Sequence, residues 1–416
     1  MQSSLLAVDI GNIFENLYNS MGFASSSADW KNYVMILIAF VLMYLAIVKK
    51  FEPLLLLPIA FGMFLINIPG AEEVLWGTYT DEAHSYDAVT DRGLLWYLYF
   101  GVDKVIYPPL IFLGIGAMTD FGPLIANPKS MLIGAGAQLG IFVAFVLAIF
   151  LGFSVAEAAS IAIIGGADGP TAIYVTSKLA DEFIPMIAIA AYSYMALIPV
   201  IQKPLMRALT TKKERTIKMK QLRQVSKLEK VLFPLIVTLV VGIILPTSIA
   251  LLGMLMLGNP FRESGVCDRL STQAQNGLMN TVTIFLGVAV GCKAKGSTFL
   301  TTSTLLIIVI GLLAFIIGTI GGLLVAKIMC AATHGKINPL IGSAGVSAVP
   351  MAARISEDVG REYDPQNHLL MHAMGPNVAG VIASSVAAGI LLACFSGYVD
   401  GTAVAEVTQA VSAVIA

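Results

Sequence analysis

The sequence has few charged residues and none of the short motifs that mark common soluble enzymes. Asp, Glu, Lys and Arg make up 12% of its 416 residues, about half the share in an ordinary soluble domain. Its four cysteines are isolated and form no Cys-x-x-Cys pair, which argues against a zinc site or a disulfide framework. No P-loop, dinucleotide fingerprint, HExxH or GxSxG is present, so nucleotide hydrolysis and ordinary serine or metal hydrolysis are unsupported. The net charge of -1 argues against a nucleic-acid partner.

Hydrophobic residues are abundant instead. They make up 57% of the chain and give a mean hydropathy of +0.83, which is typical of a polytopic membrane protein. Apolar runs of about 20 residues recur, as a hydrocarbon core roughly 30 Å thick requires. We therefore predict an all-α membrane protein with about ten transmembrane helices. The candidate spans are residues 32–48, 52–69, 105–125, 131–152, 184–206, 231–247, 248–258, 277–293, 300–329 and 367–394.

Two loops of opposite charge predict how the chain is oriented. Residues 210–230 contain eight Lys or Arg and two Glu, whereas residues 70–104 contain seven acidic and two basic residues. By the positive-inside rule, the basic loop is cytoplasmic, and the acidic loop and the N-terminus lie outside. These assignments agree only if the stretch around Asp168 enters and leaves the membrane on the same side. Residues 155–178 are therefore predicted to form a re-entrant hairpin.

Weak internal similarity predicts that the chain consists of two repeats. "IFLG" at 111–114 occurs again at 284–287, and "GGAD" at 165–168 aligns with "GSAG" at 342–345. An odd number of spans in each half would invert the second half relative to the first, as in secondary transporters. The predicted units are a first membrane repeat at 1–209, a basic cytoplasmic linker at 210–230, and a second repeat at 231–416 with a Gly-rich hairpin at about 336–355.

Asp168 is the most informative polar residue. It lies within "IAIIGGADGPTAIY", although a carboxylate at membrane depth is unfavourable and is usually functional. Gly and Pro around it break the helix and free backbone carbonyls, and hard cations prefer oxygen ligands. The pattern favours a cation site. A neutral carboxyl that makes structural hydrogen bonds is the alternative.

Other polar residues leave two interpretations open. Asn377, in "MGPNVAG", is either a sodium ligand or a partner in a helix–helix hydrogen bond. Asn338, Ser343 and Ser347 supply neutral oxygens to the second hairpin, for binding or for packing. Arg354 could bind a carboxylate in a bidentate manner or extend toward the cytoplasmic surface.

Tyr194 and His372 are equally ambiguous. The Tyr194 hydroxyl could donate a proton to a leaving group, or the side chain could be a core or interfacial aromatic. His372, within "LLMHAM", is interpreted as a hydrogen-bonded core residue.

Seven long motifs give the chain a resemblance to a known family. They are "KKFEPLLLLPIAFG", "IFLGIGAMTDFGPLIANPKS", "GGADGPTAIY", "AAYSYMALIP", "LLGMLMLGNPFRESGVCDRLS", "NPLIGSAGVSAVPMAAR" and "MHAMGPNVAGVI". Together they resemble the beta subunit of the sodium-pumping, biotin-dependent carboxylic acid decarboxylases, which act on oxaloacetate, methylmalonyl-CoA or glutaconyl-CoA. The resemblance extends from about Lys49 to Leu392.

The resemblance implies a membrane subunit of a larger complex in the prokaryotic cytoplasmic (inner) membrane. A soluble carboxyltransferase alpha subunit would transfer a carboxyl group to biotin on a carrier protein or domain, and a small single-span gamma or delta subunit would complete the assembly. The present chain would decarboxylate carboxybiotin and export sodium ions in exchange for proton uptake. Which acid or acyl-CoA supplies the carboxyl group is not specified by this chain.

The same resemblance assigns roles to residues that match the family's motifs. It implies catalytic roles for Asp168, Tyr194, Asn338 and Arg354. It implies sodium binding by Asp168, Asn338, Gly342, Ser347 and Asn377, with Asp168 and Asn377 as the direct metal ligands. Arg354 would contact carboxybiotin.

Two other classes of protein fit the residues alone. A sodium-coupled carboxylate carrier or a cation/proton antiporter would also have inverted repeats and an intramembrane Asp, but it would act without partner subunits. A membrane anchor for a decarboxylase would have no need of Asp168 or of broken helices.

Overall fold

Helices form nearly all of the regular structure. A computed structural model describes residues 10–19, 21–22, 29–50, 52–80 and 86–399. The helices are α1 Ile10–Asn19, α2 Trp30–Ile47, α3 Pro53–Ile66, α4 Ala71–Leu75, α5 Leu94–Asp103, α6 Tyr107–Met118, α7 Gly122–Ala126, α8 Met131–Ala137, α9 Leu139–Phe150, α10 Val155–Ala162, α11 Gly169–Leu179, α12 Ile184–Leu209, α13 Lys212–Arg215, α14 Lys227–Ile244, α15 Ile249–Glu263, α16 Asp268–Gln273, α17 Met279–Gly291, α18 Gly296–Phe299, α19 Thr302–Ala332, α20 Met351–Tyr363 and α21 Leu370–Val399. Within the described ranges, the strands are β1 Thr78–Tyr79 and β2 Val89–Thr90, which form a two-stranded antiparallel hairpin.

The predicted class, an all-α polytopic membrane protein, is confirmed. Four described helices are long and apolar enough to cross a bilayer: Trp30–Ile47, Pro128–Phe150, Thr302–Ala332 and Leu370–Val399. Two bent pairs raise the number to six if each pair is one span. One joins Leu94–Asp103 to Tyr107–Met118 at 68°, and the other joins Asp181–Met195 to Leu197–Leu209 at 57°. The count of ten and the outside location of the N-terminus stay predictions, and residues 1–9 lie outside the described part.

Glycines allow two pairs of helices to cross at very short distances. In the α3–α17 pair, a Cβ atom added at Gly62 would lie 2.3 Å from the Val288 carbonyl oxygen. In the α6–α15 pair, one added at Gly258 would lie 2.1 Å from the Leu113 oxygen. Small residues at such crossings let the backbones of membrane helices approach closely.

The two crossings are related in the way that the predicted repeat requires. Gly62-Met63 of α3 matches Gly253-Met254 of α15, and "IFLG" at 111–114 of α6 matches 284–287 of α17. The repeat therefore maps the α3–α17 pair onto the α6–α15 pair. Each crossing therefore joins one helix from each half of the chain. This arrangement supports the inverted repeat and the proposed division at the 210–230 linker, which remain predictions.

The first predicted hairpin is a pair of short helices with a break between them. Ser154 begins α10 with a capping box, in which its hydroxyl accepts from the Glu157 backbone N–H and its own N–H donates to the Glu157 carboxylate. A short 3-10 turn, Ile163–Gly166, ends this arm, and α11 begins directly after Asp168. All residues from Ala158 to Thr176 are buried. The break therefore lies inside the helical bundle.

The second hairpin differs from the first in its local structure. Its first arm is a 3-10 helix, Pro339–Gly345, followed by an extended segment with a cis Val349–Pro350 bond. Its second arm, α20, continues to Tyr363, beyond the predicted end at about residue 355. Gly342, Ser343 and Gly345 favour this irregular arm, because Gly and Ser have lower helix propensity than Ala or Leu.

The glycine crossings give a prediction about folding. Replacing Gly258 by Ala should force α15 away from α6 and lower the stability by about 1–3 kcal/mol, the usual effect of overpacking. Gly253 in the same helix is the matched control, because an added Cβ there meets nothing within 4 Å. Thermal unfolding of the purified protein in detergent checks this. Equal midpoints for Gly258→Ala and Gly253→Ala would contradict the close crossing.

Candidate functional site

Asp168 is held at the break of the first hairpin by an unusual backbone conformation. Ala167, directly before it, is buried and has a φ of 54°, in the left-handed region. Non-glycine residues adopt this region rarely, and such strain clusters at functional sites. Asp168 itself is extended and forms the N-cap of α11. Its carboxylate therefore lies at a helix N-terminus, where the helix dipole favours negative charge.

The Asp168 carboxylate has two hydrogen-bond donors from different halves of the chain. The Thr171 backbone N–H donates to Oδ1 at 3.2 Å. The Ser384 hydroxyl of α21 donates to Oδ2 at 2.7 Å. Asp168 is only 5% exposed and Ser384 is fully buried. Neither donor is charged, so the carboxylate has no counter-ion in the described structure.

Several buried oxygens on the Asp168 hairpin and on the elements packed around it have no hydrogen-bond partner in the described structure. They are Thr171 Oγ1, Tyr192 Oη, Gln138 Oε1, Ser347 Oγ and Asn377 Oδ1. Buried polar atoms are normally paired. A group of unpaired oxygens around one carboxylate is therefore a candidate cation site.

Close contacts link these oxygens to the hairpin of Asp168. A Cβ atom added at Gly166 would lie 3.5 Å from Gln138 Oε1 and 3.4 Å from Ser384 Cβ. The Ser347 N–H of the second hairpin donates to the Gly166 carbonyl at 3.2 Å. On the other side of Asp168, a Cβ added at Gly169 would lie 2.7 Å from Tyr192 Oη. The two hairpins thus meet beside Asp168.

Asn377 connects α21 to the second hairpin. Its side-chain NH2 donates to the carbonyls of Ala344 and Val346 at 3.0 and 2.8 Å. These bonds direct the amide nitrogen at the hairpin and leave Oδ1 without a donor. Asn377 and Ser384 are seven residues apart, about two helical turns, so they lie on the same face of α21.

The composition of the site selects the kind of ion that it can bind. The described residues contain no group of three or more His, Cys, Asp or Glu that could hold a metal. Transition metals and zinc prefer imidazole and thiolate ligands, and calcium sites usually use several carboxylates. One carboxylate with neutral hydroxyl and amide oxygens is suited to a hard monovalent cation such as sodium.

Of the other predicted site residues, Ser347 contacts the Asp168 hairpin at Gly166, and Asn377 contacts the second hairpin at Ala344 and Val346. Asn338 is directed elsewhere: its NH2 donates to the carbonyls of Arg215 and Ile217 at 3.1 and 2.9 Å. Gly342 packs against α19, where a Cβ would lie 2.5 Å from the Gly322 oxygen.

Tyr194, Arg354 and His372 have different surroundings. The Tyr194 hydroxyl donates to the Ile308 carbonyl of α19, and its ring lies against Gly311. Arg354 is exposed on α20 and forms no ion pair with a described residue. His372 has a buried Nδ1 without a partner, so the interpretation of it as a hydrogen-bonded core residue finds no support.

Sequence reasoning missed four residues at the site: Gln138, Thr171, Tyr192 and Ser384. A signal for Ser384 was available, because it follows Asn377 by seven residues in an uninterrupted apolar helix. The spacing does not separate it from Ser385, whose hydroxyl donates only to the Val381 carbonyl at 2.8 Å. Tyr192 and Tyr194 are two residues apart and point to different sides of α12, so the pattern did not distinguish them.

The fold defines a polytopic membrane protein, and the buried polar residues around Asp168 are its candidate cation site. Comparison with known proteins gives its family. Residues 31–395 match the family described as Na+-transporting oxaloacetate decarboxylase beta subunit, and the chain belongs to this family.

Characterised relatives are similar over nearly their whole length. The methylmalonyl-CoA decarboxylase subunit beta of Propionigenium modestum is 57% identical over 390 residues, which is 91% of this chain and 98% of the relative. The glutaconyl-CoA decarboxylase subunit beta of Acidaminococcus fermentans is 56% identical, over 88% and 94% of the two chains. The oxaloacetate decarboxylase beta chain of Klebsiella pneumoniae is 50% identical, over 86% and 94%.

Neighbouring serines of α21 provide a test of the cation site. Sodium should raise the unfolding temperature of the wild type, because a ligand that binds only the folded state stabilises it. Ser384→Ala should raise the half-saturating sodium concentration about 10- to 100-fold, since a hydrogen bond to a charged group contributes roughly 1.5–3 kcal/mol. Ser385→Ala is the control and should behave as the wild type. The same sodium response in Ser384→Ala and Ser385→Ala would show that Ser384 does not contribute to the cation site.

Proposed function

We propose that this chain is the membrane subunit of a decarboxylase complex, where it decarboxylates carboxybiotin and couples that reaction to sodium export in exchange for proton uptake. The observation that carries the proposal is the Asp168 carboxylate, bonded to Ser384 at 2.7 Å and surrounded by unpaired oxygens at the junction of two hairpins. Family membership supports the coupling to decarboxylation. The geometry supports the identity of the transported ion.

In the proposed mechanism, Asp168 alternates between two partners. With sodium bound, the carboxylate is ionised, and Ser347, Asn377, Thr171 and Gln138 can supply further oxygens. When sodium leaves, desolvation in the buried site favours the protonated carboxyl. Sodium release and proton uptake are then opposite steps at one side chain. The Tyr192 hydroxyl beside Gly169 is an unpaired group, and we assign it to the proton path together with Tyr194.

Decarboxylation supplies both the driving force and the need for a proton. When the N–CO2 bond of carboxybiotin breaks, CO2 leaves and the ring nitrogen takes a proton. The ring nitrogen of biotin can take up a proton that enters through the Asp168 site, which links decarboxylation to transport. Moving one net charge against 100 mV requires about 2.3 kcal/mol, and the chemical step must exceed this amount for each charge exported.

Arg354 is our candidate for the contact with carboxybiotin. It lies on α20 at the second hairpin and is exposed, and no described carboxylate neutralises its guanidinium. A free guanidinium can bind a carboxylate through two parallel hydrogen bonds. The proposed topology puts it on the cytoplasmic side together with the 210–230 linker, in a prokaryotic inner membrane.

Asn338 and Gly342 have supporting roles in this proposal. Both belong to the first arm of the second hairpin, and their contacts fix that arm against the linker and α19. We assign the remaining steps to partners: a soluble carboxyltransferase alpha subunit, a biotin carrier and a small single-span gamma or delta subunit.

The direct test measures CO2 release from a carboxybiotinylated carrier by the protein in proteoliposomes. Sodium should stimulate the wild type, and Asp168→Asn should lose that stimulation while it keeps its fold, because the amide oxygen can accept from the Thr171 N–H while the amide NH2 donates to the Ser384 hydroxyl. Ser385→Ala serves as the control for a change at the same depth. If neither wild type nor variant decarboxylates but both let sodium flow down its gradient, the protein is a carrier that acts alone.

A second prediction concerns Arg354. Replacement by Lys keeps the charge but loses the two-pronged geometry, so coupled decarboxylation should fall about tenfold, equivalent to roughly 1.4 kcal/mol. The loss should appear in the KM for the carboxylated carrier, with the half-saturating sodium concentration unchanged. Full activity of Arg354→Lys would exclude the proposed contact.

A further inference from the structure

Arg215 in the basic linker is a buried cation without a carboxylate partner. It is 6% exposed, and no ion pair to it occurs in the described structure. Its Nε donates to Thr210 Oγ1 at 2.9 Å and its Nη1 to the Tyr363 hydroxyl at 2.6 Å. Its Nη2 donates to the carbonyls of Arg207 and Thr210. An unpaired buried charge is unfavourable, so this residue needs an explanation beyond the positive-inside rule.

The carbonyls that Arg215 binds belong to the C-terminal end of α12. Positive charge is favourable there because the helix dipole is negative and the last carbonyls lack intrahelical donors. The guanidinium carbon also lies 4.7 Å from the centre of the Tyr363 ring at the end of α20. The side chain thus joins α12, from the first half of the chain, to α20, from the second half.

The backbone carbonyl of the same residue holds the second hairpin. It accepts from Asn338 Nδ2 at 3.1 Å and from Asn367 Nδ2 at 2.9 Å. Asn338 begins the first arm of the hairpin, and Asn367 lies in the loop between α20 and α21. Arg215 is therefore bonded through its two ends to α12 and to three points of the second half.

A second contact links the same two parts within α12 itself. Gln202 Nε2 of α12 donates to the Ser343 carbonyl of the second hairpin at 2.9 Å, and both residues are buried. The segment Leu197–Leu209 lies beyond the 57° bend of α12. This segment and the second hairpin are consequently fixed to each other at two places, directly at Gln202 and through Arg215 at the C-terminal end of α12.

We propose that Arg215 is a positioning residue that makes the cytoplasmic half of α12 and the second hairpin move as one body. This inference rests on the proposed function. The second hairpin contacts the Asp168 hairpin through Ser347, and α12 carries Tyr192 beside Gly169. If the joint opens, a chemical step at the second hairpin no longer moves both walls of the ion site. Decarboxylation then continues without sodium export.

Exposed ion pairs nearby cannot replace this joint. Arg207 bonds Glu362 at 2.6 Å, and that hydrogen bond lowers the pKa of the Glu362 carboxyl. Lys218 pairs with Asp364 at 3.0 Å. Both pairs are largely solvent-accessible, and such pairs contribute little because water and salt screen them. The buried Arg215 contacts have the directionality that a rigid joint requires.

The test is the number of sodium ions transported per CO2 released by the complete complex in proteoliposomes. In Arg215→Lys, the ammonium group cannot stack on the Tyr363 ring and reach the α12 carbonyls at the same time. The ratio of sodium transported to CO2 released should therefore fall roughly twofold or more, while the KM for sodium stays unchanged. Arg223→Lys is the control on the same linker, because Arg223 pairs with the exposed Glu229. Its ratio should equal that of the wild type. Tyr363→Phe removes one acceptor but keeps the ring, and it should give an intermediate ratio.

The ratio distinguishes a coupling role from a structural one. A residue that only caps α12 would lower the amount of active protein and leave the ratio unchanged, so an unchanged ratio in Arg215→Lys and Tyr363→Phe overturns the inference. If Arg215→Lys does not assemble, the Tyr363→Phe ratio decides alone. Wild-type complex that releases CO2 and moves no sodium would overturn the proposed function and this inference together.

Discussion

The hydrogen bond from Ser384 to Asp168 is the interaction on which the rest of the structure depends. It joins the first hairpin to α21, and it stabilises a carboxylate that is buried and so cannot be hydrated by bulk water. A bond at 2.7 Å allows little displacement of either element. The hairpin must therefore reach deep into the bundle, and α21 must present one particular face to it.

Close glycine packing makes that approach possible. Gly165 lies against the backbone of Gly140, and Gly380 of α21 lies against the Gly345 carbonyl, where an added Cβ would be only 2.2 Å away. With side chains at these positions, the first hairpin could not pack closely on α9, and the second could not pack closely on α21. The abundance of glycine, 38 residues, thus has a specific use: it brings irregular backbone and polar oxygens to one buried point.

The sequence allowed the prediction of features with a local signal. Asp168 and Asn377 each follow or precede a Gly-Pro break, and a polar residue at such a break is informative by itself. Ser384 has no local signal, since the choice between it and Ser385 depends on the rotation of α21, which the contact of Gly380 with Gly345 determines. Arg215 is one of eight basic residues in its loop, and only tertiary contacts distinguish it from the other seven. The repeat predicted a Gly-rich hairpin at about 336–355, but its 3-10 arm has no local signal that distinguishes it from other hairpin backbones.

The central claim is that Asp168 binds the transported sodium ion. Equilibrium binding of radioactive sodium to the purified protein measures this without decarboxylation, partner subunits or a membrane potential. The account predicts saturable binding by the wild type, loss of that binding in Asp168→Asn, and normal binding in Arg354→Lys and Arg215→Lys. Equal sodium binding by the wild type and Asp168→Asn would contradict it.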